Sequence, residues 1–171
     1  VRDPVARFVT HDGAWIDPAD LSDNISPDGQ PTMDPQVAIA DNGDAVIAWT
    51  QSDGMQSQIF RSENRNGSWD DPVDLSDNIS PNGSTAQTPQ VRMNGGAESL
   101  IVWAQSDGAN QQLFRSHYLS GAWIDPATLE DNFTPDGASV LEFQAAWTGV
   151  GDAVVAWQQF DGGRNQIFRS E

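Results

Sequence analysis

Short apolar runs separated by polar turns recur along the whole chain. The run "PQVAIA" at 35–40 precedes the turn "DNGD", the longer run "AVIAWTQ" and a second turn, "SDG". The segments "SQIFRSEN" and "SWDDPVDL" follow, separated by "RNG". Asn-Gly between apolar runs favours a tight hairpin. The pattern therefore predicts four consecutive strands, and no segment has the period of an amphipathic helix.

The first two runs of this unit are almost continuously apolar rather than alternating. Such strands are typical of a sheet that is covered on both faces. We therefore expect the unit to be one layer in a stack of sheets.

The same pattern occurs three times with a period of 54 residues. It accounts for nearly the whole chain and places aromatic residues at fixed positions of each repeat. These are Trp15, Trp69 and Trp123; Trp49, Trp103 and Trp157; and Phe60, Phe114 and Phe168.

Four strands in about 50 residues, with aromatic residues at fixed positions, are the pattern of a β-propeller blade. A flat β-solenoid is the alternative, although its repeats are usually shorter. We predict an all-β fold with three four-stranded blades, as a single domain at 1–171. Strands three and four of a blade lie at 1–34, and the repeats lie at about 35–88, 89–142 and 143–171.

Three blades are too few to close a propeller ring. Two copies of the chain joined head to tail would form a six-bladed homodimer, in which an N-terminal fourth strand completes the partner's last blade. Alternatively, the chain is a piece of a longer propeller. We favour the dimer, although the chain supplies a third strand at both ends, and one of the competing copies would have to be displaced.

The charge balance limits the partners. The chain has 25 Asp and Glu against 8 basic residues, all Arg, and a net charge of −17. So acidic a surface repels nucleic-acid phosphates and anionic lipid, so neither is an expected partner. No apolar run is long enough to span a membrane, so we expect no membrane insertion. The absence of cysteine excludes disulfides and thiolate metal sites.

The motif "W-x-Q-x-D-G … I/L-F-R-S … G-x-W" resembles the propeller repeats of bacterial secreted and surface proteins. More loosely, it is similar to oligomeric β-propeller lectins. The resemblance covers the whole chain and implies a secreted or surface location. The lectin comparison implies shallow sugar sites repeated in each blade, but no lectin binding motif matches residue by residue.

Alternating strand directions place the second-to-third turn and the connection between blades on the same rim. This rim keeps carboxylate and amide groups that either hold turns or bind a ligand. Sugar hydroxyl groups are the expected ligand of Gln51, Asp53, Gln105, Asp107, Gln159 and Asp161, and of the repeated arginines Arg61, Arg115 and Arg169. Calcium is a weaker candidate, with Asp23, Asn24, Asp77, Asn78, Asp131 and Asn132 as ligands; no other cofactor is expected.

Catalytic motifs are not evident in the sequence. His11 and His117, the two histidines, occupy unrelated positions of the repeat, and no Ser-His or Cys-His motif occurs. We therefore predict that the chain is not an enzyme. The expected function is carbohydrate binding. The alternative is a protein-interaction or structural propeller without a small-molecule ligand, with calcium as a potential stabiliser.

Overall fold

In the computed structural model, which describes residues 17–149 and 151–171, this part of the chain forms β-strands and no helix. The all-β prediction is confirmed. The strands are β1 (Thr32–Ile39), β2 (Ala45–Ser52), β3 (Ser57–Arg65), β4 (Ser68–Asp70), β5 (Ala86–Met93), β6 (Ser99–Ser106), β7 (Gln111–Leu119), β8 (Ala122–Ile124), β9 (Val140–Trp147), β10 (Ala153–Phe160) and β11 (Asn165–Ser170).

The strands form three antiparallel sheets whose order follows the chain. Sheet 1 contains β1–β4 and sheet 2 contains β5–β8, which confirms the predicted four-stranded unit. Sheet 3 contains β9–β11 and ends at its third strand. The strands predicted at the N-terminus, with Trp15 and His11, lie outside the described residues.

Each of the first two sheets begins with a bent strand. The register of β1 against β2 shifts between Met33 and Gln36, and that of β5 against β6 shifts between Gln87 and Gln90. Asp34 and Thr88, inside these shifts, have φ angles of 55° and 54°. Such β-bulges increase the local twist of a strand.

The second strand of each sheet shows how the sheets are stacked. All of β6 except its last residue is buried, and β2 is nearly so. Strand β10 has a related sequence, yet its burial alternates along the strand. The continuous burial of β6 therefore reflects a sheet with neighbouring sheets on both faces, whereas sheet 3 has no following sheet within the described residues.

Side chains from adjacent sheets form the core. Val46 and Ile59 of sheet 1 pack with Val91, Ile101 and Trp103 of sheet 2. A second cluster joins the opposite face of sheet 2 to sheet 3. Because corresponding residues of the repeat fill both clusters, the two interfaces have the same construction.

The turn at Asn42–Gly43 is not the two-residue turn that Asn-Gly favours. Gly43 has a φ of 90°, whereas Asn42 is not in the left-handed region, and the Ala40 N–H donates to Asp44 O across a wider loop. The tight turn lies instead at Asn66–Gly67, between β3 and β4, where φ is 54° and 83°. Two consecutive positive φ angles match the twist of a hairpin, and Asn and Gly tolerate them.

One buried hydrogen-bond motif recurs in every sheet. The Nε1–H of Trp103 donates to Gln105 Oε1 at 3.0 Å, and Gln105 Nε2 donates to the carbonyl oxygens of Pro81 at 2.6 Å and Ser84 at 3.1 Å. Trp103 also stacks on Phe114, with ring centroids 6.2 Å apart. The second strand is thereby attached to the connection that precedes its sheet.

We predict that Gln105→Ala lowers the free energy of unfolding by about 3 kcal/mol, because the indole N–H and two carbonyl groups lose their partner in a buried site. Urea unfolding followed by tryptophan fluorescence measures the change. Gln87→Ala, at an exposed position of β5, is the matched control and should stay within about 0.5 kcal/mol of the parent. Equal effects of the two substitutions would contradict the structural role of Gln105.

Candidate functional site

A cleft of about 850 Å³ lies on the rim where the sequence places the second-to-third turn and the connection between blades. Its walls come from three segments that are distant in the sequence: Pro27–Asp28, the β2–β3 turn, and the connection from sheet 1 to sheet 2. The lining residues are Pro27, Asp28, Asp53, Met55, Gln56, Val73, Asp74, Leu75, Ser76, Asn78, Asn82 and Gly83. The structure thus brings together two of the predicted site residues, Asp53 and Asn78.

Asp53 holds the β2–β3 turn. Its Oδ1 accepts hydrogen bonds from the backbone N–H groups of Met55 and Gln56, both at 2.7 Å. Its Oδ2 has a single, longer contact, with Gln58 Nε2 at 3.4 Å. One carboxylate oxygen therefore holds the turn, and the other has capacity for a further donor.

The pKa of Asp53 is below its ordinary value. Partial burial acts to raise the pKa, but the N–H groups of Gln56 and Met55 stabilise the charged form and outweigh it. Asp107 shows the same balance, with its donors on Asn110 and Ala109. In Asp161 the N–H groups of Arg164 and Gly163 lower the pKa. The three carboxylates are thus held in their charged form by the turns.

The cleft also has an apolar side that the repeat pattern did not predict. Met55 is 91% exposed and Val73 is 87% exposed, and both line the cleft. The corresponding residues of the next repeat are Ala109 and Ala127. The signal for Met55 and Val73 was therefore a difference between repeats, whereas the prediction relied on what the repeats share.

Two further carboxylates line the cleft, together with amide and hydroxyl side chains. Asp28 is exposed and makes no hydrogen bond with the described residues, and Asp74 accepts from the Ser76 N–H and hydroxyl groups at 2.8 and 2.6 Å. Those Ser76 hydrogen bonds hold the pKa of Asp74 below its usual value. Ionised carboxylates accept hydrogen bonds and donate none. The cleft is consequently suited to a ligand that offers hydroxyl donors and an apolar face.

The three glutamines predicted to bind a ligand have a different role. Gln51, Gln105 and Gln159 are 1%, 0% and 2% exposed. Each accepts from a Trp Nε1–H and donates to two carbonyl groups. Because both ends of the amide are occupied in the interior, we correct this part of the prediction and assign the glutamines to the core.

Arg61 also has a structural position. Its guanidinium group lies 2.7 Å from Asp125 Oδ1 and 4.2 Å from the centroid of the Trp123 ring. Arg61 belongs to β3, and Asp125 follows β8, so this ion pair connects sheet 1 to sheet 2. A sugar would have to compete with both contacts, and we therefore assign Arg61 to the contact between the sheets.

Arg115 and Arg169 occupy the corresponding positions of sheets 2 and 3. Arg115 is exposed, and among the described residues its guanidinium contacts the Phe133 ring, 5.1 Å from the centroid. The Arg169 side chain is 72% exposed and lies 3.7 Å from Glu171. Within the described residues, neither arginine pairs with an acidic residue of a following sheet as Arg61 does.

The Asp-Asn pairs predicted to bind calcium form the bends of the connections. Asp77 Oδ2 accepts from the Val73 N–H at 2.7 Å, and Asn78 Nδ2 donates to Ser80 O at 2.7 Å. Asp131 and Asn132 repeat both contacts. Asp23 accepts from the Ala19 N–H in the same way, but Asn24 Nδ2 donates to Leu21 O at 3.4 Å instead. Thr128 N–H and hydroxyl donors lower the pKa of Asp131. The side chains thus shape the loop, and calcium binding by them stays a prediction.

The described residues show no group of three or more acidic, His or Cys side chains arranged to hold a metal ion. Within the same residues, no helix has the length and apolar character needed to cross a membrane.

No protein-family model matches the chain, and no curated protein matches it. Its structure is similar to that of an endo-arabinase from Bacteroides thetaiotaomicron VPI-5482, with a TM-score of 0.51 and 10% sequence identity. The match covers 85% of this chain and 57% of the endo-arabinase. At this identity the likeness concerns the fold, and the chain spans little more than half of the similar structure.

The comparison overturns the prediction that the chain is not an enzyme, because a solved structure with a similar fold is an endo-arabinase. The prediction rested on the absence of a histidine or thiol motif. Glycoside hydrolysis requires only a pair of carboxylic acids, and the 25 acidic residues of the chain carry no sequence signature that would single out such a pair.

The turn aspartates give a testable dependence of stability on pH. Because the folded-state pKa values of Asp53, Asp107 and Asp161 are lowered, their contribution to stability is present above the unfolded pKa, about 4, and is lost as the pH falls through the folded values. In the triple Asp→Asn variant each turn keeps its acceptor oxygen but loses the charge. We expect the variant to be less stable than the parent at pH 7 and the difference to shrink toward pH 2, as measured by urea unfolding.

The control is the triple variant Asp28→Asn, Asp41→Asn and Asp136→Asn. It makes the same change in net charge at carboxylates without a hydrogen bond among the described residues. If both variants showed the same pH dependence, net charge rather than the turns would account for it.

Calcium binding can be tested by chelation. We expect excess EDTA to leave the Tm unchanged, because the Asp77 and Asp131 carboxylates already accept N–H groups of their own loops. Calcium bound at a free concentration of 100 times its Kd would add about 2.7 kcal/mol to the free energy of unfolding. A fall in Tm that added calcium reverses would therefore contradict this expectation and support the calcium alternative.

Proposed function

We propose that the chain is a β-propeller module that binds carbohydrate at clefts repeated along one rim. The observation that carries the proposal is the cleft beside Asp53, where carboxylate oxygens and exposed Met55 and Val73 side chains face the same space. Sugars present hydroxyl donors together with apolar C–H faces. A site with a few polar groups on an apolar lining is the usual form of a small-molecule site.

The charge of the site favours a neutral ligand. Asp28, Asp53 and Asp74 line the cleft in a chain whose net charge is −17. A phosphorylated, sulfated or otherwise anionic glycan would be repelled. Neutral glycans, whose hydroxyl groups donate to carboxylates, are the expected class of ligand.

Ring closure is part of the proposal. Two chains joined head to tail as a homodimer would form a ring of six blades, as a closed heterologous assembly. The cleft with Met55 and Val73 would then occur twice on one rim, and binding both copies to one glycan surface raises avidity. A secreted or surface location fits such a role.

The alternative is a protein-interaction or structural propeller without a small-molecule ligand. The structure supports it through the Asp and Gln side chains of the rim, which hold turns and connections in every sheet. In that case the cleft beside Asp53 is a by-product of the loops. Binding data for the two Ala substitutions below separate the alternatives.

A glycan array probed with the labelled chain tests the proposal. We expect binding to neutral glycans, weakened about tenfold by Met55→Ala combined with Val73→Ala, which removes the apolar side of the cleft at a cost of roughly 1 to 2 kcal/mol. Both side chains are exposed, so folding should be unaffected. Assaying bound glycans for newly released reducing ends distinguishes binding from turnover.

The control is Leu119→Ala combined with Ile124→Ala. It removes two exposed apolar side chains from β7 and β8, outside this cleft and outside the faces at the two ends of the stack. An array without a binder, or equal losses in both variants, would reject the proposed cleft.

A further inference from the structure

The connection from sheet 1 to sheet 2 lies across the third strand of sheet 1. The Ile79 N–H donates to Ile59 O at 2.8 Å, and the Ile59 N–H donates to Ser80 Oγ at 2.9 Å. The next connection repeats this contact: the Phe133 N–H donates to Leu113 O at 3.0 Å, and the Leu113 N–H donates to Thr134 Oγ1 at 3.1 Å. Each third strand is thus covered by the connection that follows it.

The two ends of the described chain carry the unpaired halves of this contact. At one end, Ile167 of β11 corresponds to Ile59 and Leu113; those two are 0% exposed, whereas Ile167 is 74% exposed. At the other end, Ile25 corresponds to Ile79 and Phe133, and it is 39% exposed, whereas Ile79 is 6% exposed.

Segment 17–31 has the turns of a connection, but no third strand of a preceding sheet lies against it within the described residues. It shows the same sequence of bends and turns as 71–85. The Asp20 side chain accepts from Ser22 N–H and hydroxyl groups, as Asp74 does from Ser76. Leu21 is nevertheless 99% exposed, while the corresponding Leu75 is partly buried. The segment is therefore shaped for a contact that the described part of the chain does not supply.

The outer faces of the end sheets match in the same way. Val37 on sheet 1 is 69% exposed, whereas the corresponding Val91 and Ala145 are 2% and 5% exposed. On sheet 3, Val154 is 38% exposed, whereas Val46 and Leu100 are 0% and 5% exposed. The exposed face of sheet 1 therefore carries the same apolar position that sheets 2 and 3 bury against the sheet before them.

The charged groups are matched as well. Asp125, which pairs with Arg61, corresponds in the repeat to Asp71 and Asp17, both exposed. Arg61 of one sheet pairs with an aspartate of the next sheet. In a second copy that continued the repeat, the same offset would place Asp17 of the partner subunit opposite Arg115. It would likewise place Asp71 of the partner subunit opposite Arg169. Two such pairs would form if a second copy continued the repeat.

We propose that a second copy of this chain docks on sheet 3, with segment 17–31 of the partner lying across β11. Ile25 of the partner subunit then covers Ile167, and Ser26 of the partner subunit accepts the Ile167 N–H. Arg115 pairs with Asp17 of the partner subunit, and Arg169 pairs with Asp71 of the partner subunit. This inference rests on the head-to-tail ring proposed above and identifies the residues that join it.

The docking also completes a rim cleft. The cleft beside Asp53 has one wall from the connection that follows sheet 1, whereas the described residues include no connection after sheet 3. Residues 19–29 of the partner subunit would form that wall. The cleft beside Asp161 is consequently shared between two copies, while the cleft beside Asp53 lies within one chain.

Light scattering on three proteins tests the docking. We expect the parent chain to have twice the chain mass and Ile167→Asp to have the mass of a monomer, because the substitution places a carboxylate in the apolar contact. Ile124→Asp is the control, since Ile124 is 54% exposed on β8 and the preceding repeat carries Asp70 there; we expect it to remain a dimer.

A charge exchange tests the contact residues independently of the apolar core. Arg115→Asp and Asp17→Arg should each weaken dimerisation by about tenfold or more, because each places like charges opposite one another at both interfaces of the ring. An equimolar mixture of the two variants should recover the dimer, because one interface of the mixed ring has the exchanged pair and the other has the native pair. Both positions are exposed, so the fold should tolerate each substitution.

The outcomes separate this inference from the earlier proposals. A monomeric parent chain would overturn the docking and the ring together. A dimeric parent that neither Ile167→Asp nor the charge variants weaken would overturn only the contact residues. If Ile167→Asp is monomeric and still binds glycan at the cleft beside Asp53, with lower avidity, both the docking and the carbohydrate proposal are supported.

Discussion

The buried hydrogen bonds of the Trp-x-Gln motif are the contact on which the arrangement of the sheets depends. In each repeat the glutamine accepts from an indole N–H on its own strand and donates to two carbonyl groups of the preceding connection. Buried polar groups of this kind are stable only when all partners are present. The motif therefore fixes where each connection meets its sheet, and with it the position of one sheet relative to the next.

The rim follows from this arrangement. Once the connection is fixed at Pro27 and Gln30, it lies beside the β2–β3 turn of the same sheet, and the cleft forms between them. In the β2–β3 turn, Asp53 accepts backbone N–H groups with one oxygen, and its other oxygen has only a longer contact with Gln58. The same carboxylate can therefore hold the turn and bind a ligand, because it has enough acceptor positions for both roles.

Arg61 shows that the contacts and exposure of one repeat position depend on which sheets lie next to it. Between sheets 1 and 2 it joins an acidic residue and an indole ring across the interface. In sheet 3 the same position is exposed because no further sheet covers it within the described residues. The exposure of Arg115 and Arg169, like that of Ile167 and Val37, is therefore a property of the ends of the stack rather than of the individual residue.

The sequence alone determined the repeat, the four-stranded unit and the rim on which Asp53 and Asn78 meet. These depend on strand period, turn residues and alternating strand direction, all of which are local or follow from topology. It did not determine the role of Gln51 or Arg61, because a polar residue beside a turn has the same sequence signature whether its partner is a ligand or a carbonyl group of another loop. Only the packing of one sheet against the next decided that these side chains are occupied. The same packing revealed Met55 and Val73 on the cleft, because exposure depends on neighbours that lie far away in the sequence.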